Sequence, residues 1–155
     1  MNKRYSNIDE IISEMRREAD NGNIRSACWL SWIFYAVAWG RQDDELALKY
    51  SLIAAHAGNS TAMCRAAVLY TEGHATERER FAAAKQSDDP IKGYLKALGK
   101  DFDLAERWIN EAAKDPKCAF AHNVLADCKN GECFINAVQK RTEQLDTISS
   151  ISSDV

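Results

Sequence analysis

Proline is almost missing from this chain, with 2 residues in 155, and only 7 glycines stand against 23 alanines. A sequence so short of helix breakers, and so rich in the residue that favours helix most, is expected to be helical. Charge of one sign is missing too. The 20 basic and 23 acidic residues are spread evenly for a formal charge of -3, so no surface is set up to neutralise phosphates and nucleic acid is not an expected partner. Hydrophobic residues at 46% and charged residues at 28% exclude wholesale disorder and collagen-like or low-complexity sequence.

Long hydrophobic runs are absent. The longest, 27–39, is broken by Ser31 and flanked by Arg25 and Arg41. As a helix it reaches about 20 Å against a hydrocarbon core of roughly 30 Å, so membrane insertion is not expected. Residues 1–5 carry no apolar core ahead of a cleavage site, so no secretory signal is expected. The five cysteines, Cys28, Cys64, Cys118, Cys128 and Cys133, are odd in number and irregular in spacing. That pattern suits reduced thiols and a cytoplasmic protein better than a disulfide framework.

Enzyme signatures are missing as well. The sequence has no Gly-rich phosphate loop, no G-x-S-x-G elbow, no H-E-x-x-H and no kinase signature, and the chain is expected not to be an enzyme. The best metal candidate is Cys118, His122, Cys128 and Cys133. Structural zinc sites favour two short paired spacings, whereas Cys128 and Cys133 are five apart, so neither metal nor cofactor is expected. His56 precedes the turn glycine Gly58 and reads as a helix-end cation.

What the chain does have is a repeat. Asp43, Ala47, Tyr50, Ala54 and Ala55 have the same spacing as Asp101, Ala105, Trp108, Ala112 and Ala113, one helical stripe with an acid near the N-cap. Asn7, Ile11, Glu14, Glu18 and Ala19 echo it. Each stripe runs into a turn: Asp20-Asn21-Gly22-Asn23, His56-Ala57-Gly58-Asn59 and Lys114-Asp115-Pro116-Lys117. The helix after the second turn places Ala62, Ala66, Ala67, Tyr70 and Gly73 at offsets 0, 4, 5, 8 and 11. The turns are separated by 36 and then 58 residues, so an insertion of 22 lies between Gly73 and Asp101. The pattern predicts helices at 8–20, 24–39, 43–57, 60–72, 101–114, 118–129 and 132–146, with an inserted helical segment at about 74–100 whose second helix opens at Asp89-Pro90. One all-α domain of residues 1–146 is expected, followed by a Ser-rich, frayed tail at 147–155.

These residues, from Asp43 to Gly58, Ala62 to Gly73 and Asp101 to Ala113, resemble the Sel1-like repeat family, a branch of the tetratricopeptide-like α-solenoids. The sequence departs from the family pattern at Trp32, where a small residue is favoured, and at Lys129, where an aromatic is. The resemblance implies a right-handed α-solenoid of helix pairs in which the first helix of each pair lines a concave groove. It therefore implies a partner surface of Trp29, Ile33, Val37, Cys64, Val68, Phe120 and Asn123, with Trp29 and Phe120 as anchors. It further implies a non-catalytic protein-interaction module, such as a bacterial adaptor or an immunity or inhibitor protein acting on a toxin, effector or signalling protein. The helix at 24–39, apolar nearly all round, would equally suit a homodimer or larger structural homo-oligomer.

Overall fold

The computed structural model describes residues 7–36, 39–74, 89, 91, 94–95 and 98–145, the side chains of 143 and 144 excepted. The described residues form helices and no strand. In chain order these are α1 (Ile8–Asp20), α2 (Ile24–Tyr35), α3 (Asp44–His56), α4 (Ser60–Glu72), α5 (Phe102–Ala112), α6 (Ala119–Lys129) and α7 (Phe134–Arg141), followed by a 3-10 turn (Thr142–Leu145). None of them is long and apolar enough to cross a membrane.

The repeat is visible first in the caps. Asn7, Asp43 and Asp101 each stand in extended backbone and accept the amide N–H three residues on, at 3.1, 3.0 and 3.0 Å. Asn23 and Asn59 do the same for α2 and α4, at 2.9 and 2.8 Å. Each such side chain satisfies a donor that the first helical turn leaves open. The connections α1–α2 and α3–α4 are twins: Gly22 and Gly58 adopt φ of 97° and 100°, and the next Asn amide reaches back to Glu18 and Ala54 carbonyls, both at 3.0 Å. A left-handed residue closing a helix in this way is glycine's usual position.

Every helix packs against its chain neighbour, from α1 on α2 through to α6 and α7. The core runs between the layers as a ladder of small residues, Ala27, Ala47, Ala54, Ala62, Ala66, Ala105, Ala112 and Ala121, interleaved with Leu30, Leu48, Tyr50, Leu69 and Ile109. Alanines at these positions let helix backbones approach closely, and the larger side chains fill the space between layers. α4 is the central element. All twelve residues from Ser60 through Thr71 are buried, because α4 packs on α3 and α5 and also touches α2, α7 and the 3-10 turn.

Two expectations change here. The helix predicted at 24–39 ends at Tyr35, with Ala36 extended at ψ 135°. Trp39 meets Trp32, ring centroids 5.4 Å apart, and the Asp43 amide donates to the Phe34 carbonyl at 2.8 Å. Tertiary packing overrides a run that carries no breaker. The last predicted helix, 132–146, is shorter, an α-helix to Arg141 and then a 3-10 turn. Of the insertion, Asp89 accepts the Ile91 amide at 2.9 Å as a helix start would, and Ile91, Tyr94 and Leu98 are exposed. Residues 75–88, 90, 92–93 and 96–97 of the segment and the tail at 147–155 lie outside the described residues.

Candidate functional site

The expected groove is not an open surface. Ile33, Cys64, Val68 and Phe120 are at most 5% exposed and belong to the core. The reason is the burial of α4 on every side: its neighbours include the C-terminal α7 and 3-10 turn, and Arg65 donates from Nη2 to the Leu145 carbonyl at 2.7 Å. Arg65 is 1% exposed, with its guanidinium carbon 6.0 Å from the Tyr35 ring centre. Val37 lies outside the described residues. Trp29 and Asn123 are half-buried and keep some surface. Trp29 stands edge-on to Trp32 at 5.8 Å and borders a cavity of about 250 Å³ between α1 and α2, with Ile11, Met15, Glu14 and Glu18.

The larger cavity is elsewhere. A cleft of about 640 Å³ opens between α3 and α5, with α4 as its floor. Met63 and Tyr70, seven residues apart and so on one face of α4, form the floor. Leu52 and His56 of α3 make one wall, and Leu104 and Trp108 of α5 the other. Arg107 and Glu111 stand exposed at the rim. The His56 and Trp108 rings meet edge to face with centroids 5.1 Å apart.

The repeat explains why this cleft exists. Shifting by 36 residues carries Asp20 onto His56 and Arg16 onto Leu52, and shifting by 58 carries Tyr50 onto Trp108. At the α1–α3 contact, the Tyr50 hydroxyl accepts from Arg16 at 3.1 Å and donates to Asp20 at 3.2 Å, and Tyr50 is fully buried. At the equivalent α3–α5 contact, imidazole and leucine replace the acid and the arginine. Trp108, in place of tyrosine, is left half-buried. One interlayer contact is sealed by hydrogen bonds; the other is an open cleft walled by a His–Trp pair and lined by both apolar and polar groups. The signal for it was in the sequence, in the non-identical residues of an otherwise matched pair of stripes.

No family model matches the chain, and no curated protein and no solved structure gives a significant match. The cleft is therefore read from its own side chains. A concave site of several hundred Å³ lined by aromatic and aliphatic groups, with a few charges at the edge, is suited to burying an apolar side chain.

The cysteine and histidine candidates go separate ways. Cys118, the N-cap residue of α6, meets Cys64 with sulfurs 3.4 Å apart. His122 Nε2 lies 3.0 Å from the Asp115 carbonyl oxygen. Cys128 is half-buried, and burial, followed by the charges of Glu106 and Asp127, pushes its thiol up. Cys133 is exposed. Among the described residues no group of three or more His, Cys, Asp or Glu is placed to hold a metal ion. Asp115 is the joint of the α5–α6 turn: it accepts the Lys117 amide at 2.9 Å and the Ser60 hydroxyl at 2.8 Å, and these bonds hold its carboxyl below the usual aspartate range.

Proposed function

We propose that this chain is a non-catalytic protein-binding module, a right-handed solenoid of Sel1- and tetratricopeptide-like helix pairs, that holds a segment of another protein in the α3–α5 cleft. The observation that carries the reading is the His56–Trp108 slot at a contact which the preceding repeat seals with hydrogen bonds. An exposed aromatic slot over a rigid floor is the kind of site where a few side chains dominate binding energy. The expected ligand is a protein segment offering one apolar side chain to the slot, with charged neighbours matched to Arg107 and Glu111. In this reading the protein acts as an adaptor or as an immunity-type inhibitor, in the manner of the bacterial proteins it resembles. Fold alone does not establish such a role.

The test is capture of a partner by the full chain from its source lysate, followed by calorimetric titration with wild type, Trp108→Ala and Trp29→Ala. Affinity at least tenfold weaker for Trp108→Ala, with an unchanged far-ultraviolet circular dichroism spectrum, supports the cleft. A folded Trp108→Ala that binds as wild type rules the cleft out. If Trp29→Ala alone weakens binding, the α1–α2 cavity is the site instead. Capture of further copies of this chain only, with dimers in light scattering, would favour the homo-oligomer.

A further inference from the structure

Two buried sulfurs meet at the contact between α4 and the start of α6. Cys64 and Cys118 are 0% and 6% exposed, and their sulfur atoms are 3.4 Å apart. A disulfide needs roughly 2.05 Å, so a further approach of about 1.4 Å would join them. The sequence pointed to reduced thiols because its five cysteines are odd in number and irregular in spacing; this pair is 54 residues apart. The fold brings them together from two different repeats.

We propose that Cys64 and Cys118 are an oxidative modification site that closes into an intramolecular disulfide. The chemistry needs an external two-electron oxidant, a low-molecular-weight disulfide such as oxidised glutathione. Cys118, the more exposed residue of the two, loses its proton and attacks one sulfur of the oxidant, forming a mixed disulfide and releasing one small thiolate. Cys64 then loses its proton and attacks the Cys118 sulfur, which forms the Cys64–Cys118 bond and expels the second small thiolate. Two protein thiols are oxidised, one small disulfide is reduced to two thiols, and the two protons end on them. Neither Cys64 nor Cys118 is open to bulk solvent, so the rate follows local opening of the α5–α6 turn.

Burial and nearby carboxylates push the Cys128 thiol up and disfavour it as a nucleophile. Exposed Cys133 reacts with the oxidant freely, but its product is a mixed disulfide or a cross-link between molecules. The Cys64–Cys118 bond closes a loop that holds α5 and everything between α4 and α5. It ties the start of α6, six residues past the end of the α5 wall, to the α4 helix that floors the cleft. Formation of the bond does not depend on what the cleft binds.

The experiment is to treat the reduced, folded full chain with oxidised glutathione at pH 8, quench in denaturant with an alkylating reagent, and map peptides by mass spectrometry. The expected result is a monomer with a 64–118 linked peptide, formed equally in Cys133→Ser and reversed by dithiothreitol. Recovery of Cys64 and Cys118 both alkylated while Cys133 is oxidised would overturn the proposal, as would a disulfide joining either of them to Cys133 instead. The wild-type map needs no substitution in the core, so the outcome does not turn on whether a Cys64→Ala variant folds.

Discussion

The imidazole of His56 sits edge-on to the indole of Trp108, with ring centroids 5.1 Å apart, at the place where the previous repeat sets Asp20 against Tyr50. The two contacts share a helix register and differ in chemistry. The Tyr50 site is closed by two hydrogen bonds, and the Trp108 site is left as a slot. A tryptophan held half in water on a buried frame contributes less to the fold than its size suggests.

That difference can be measured. Tyr50→Ala is expected to cost about 3–5 kcal/mol, because it empties a fully buried site and strips partners from Arg16 and Asp20. Trp108→Ala should cost about 1–2 kcal/mol, in proportion to its partial burial. Urea denaturation of both variants decides it, and an equal or larger loss at Trp108 would make it a core residue.

The caps give a matched series. Asp43→Ala and Asp101→Ala each remove one side-chain acceptor at a helix start and should each cost about 1 kcal/mol. Asn59→Ala should cost more than either, up to about 2 kcal/mol, since Asn59 is only 8% exposed and water replaces its bond less well. Equal losses at all three positions in denaturant titrations would show that burial does not matter to these caps.

Arg65 is the one fully buried guanidinium described, and its Nη2 donates to Leu145. Ending the chain after Arg141 removes that carbonyl. The loss of that charge-assisted bond should be about 1.5–3 kcal/mol, with the lost burial of the Leu145 side chain added to it. Arg65→Met in the shortened chain should recover part of it, because an apolar side chain of similar length needs no acceptor. A shortened chain as stable as the full one would show that the 3-10 turn does not hold Arg65.

Acid should loosen the contact between α6 and α7. Asp127 accepts from Arg141 at 2.6 and 3.0 Å, and this bond, with the charges of Arg141 and Lys140, holds its carboxyl below the usual aspartate range. A carboxyl with a folded pKa below its unfolded one stabilises fully above the unfolded value, about 4, and that contribution goes as pH falls through the folded value. Wild type should therefore lose stability more steeply than Asp127→Asn below about pH 4, while Asp127→Asn is the less stable of the two near neutrality. Parallel curves from pH 7 to 2 in thermal melts would remove Asp127 from the account.

Local structure was legible where short-range chemistry decides it. Asn7, Asp43, Asn59 and Asp101 mark helix starts because their side chains cap within three residues, and helices 8–20 and 60–72 begin and end where the stripes place them. The end of α2 was not legible, since Ala36 turns extended only so that Trp39 can reach Trp32. Four residues expected on an open partner surface, Ile33, Cys64, Val68 and Phe120, are buried for a related reason. Cys64 and Val68 would face an open groove in a bare stack of pairs, but here α4 is wrapped by α7 and the 3-10 turn as well as by its own layers. The α3–α5 cleft depends on what differs between repeats, whereas the search for a repeat rewards what is shared.

The spacing between helices also sets the order in which the molecule can assemble. Turns of three residues join α1 to α2 and α3 to α4, but residues 73–101 separate α4 from α5. Bringing helix ends together across the longer stretch costs about 2 kcal/mol more in chain entropy. The α1–α4 unit can thus nucleate alone, and α5 to α7 dock on it in a later and less favourable step. The cleft lies on that joint, and so does the Cys64–Cys118 contact. The last interface to close in folding is the first to open in the native ensemble, so amide exchange in α5 should outrun that in α3.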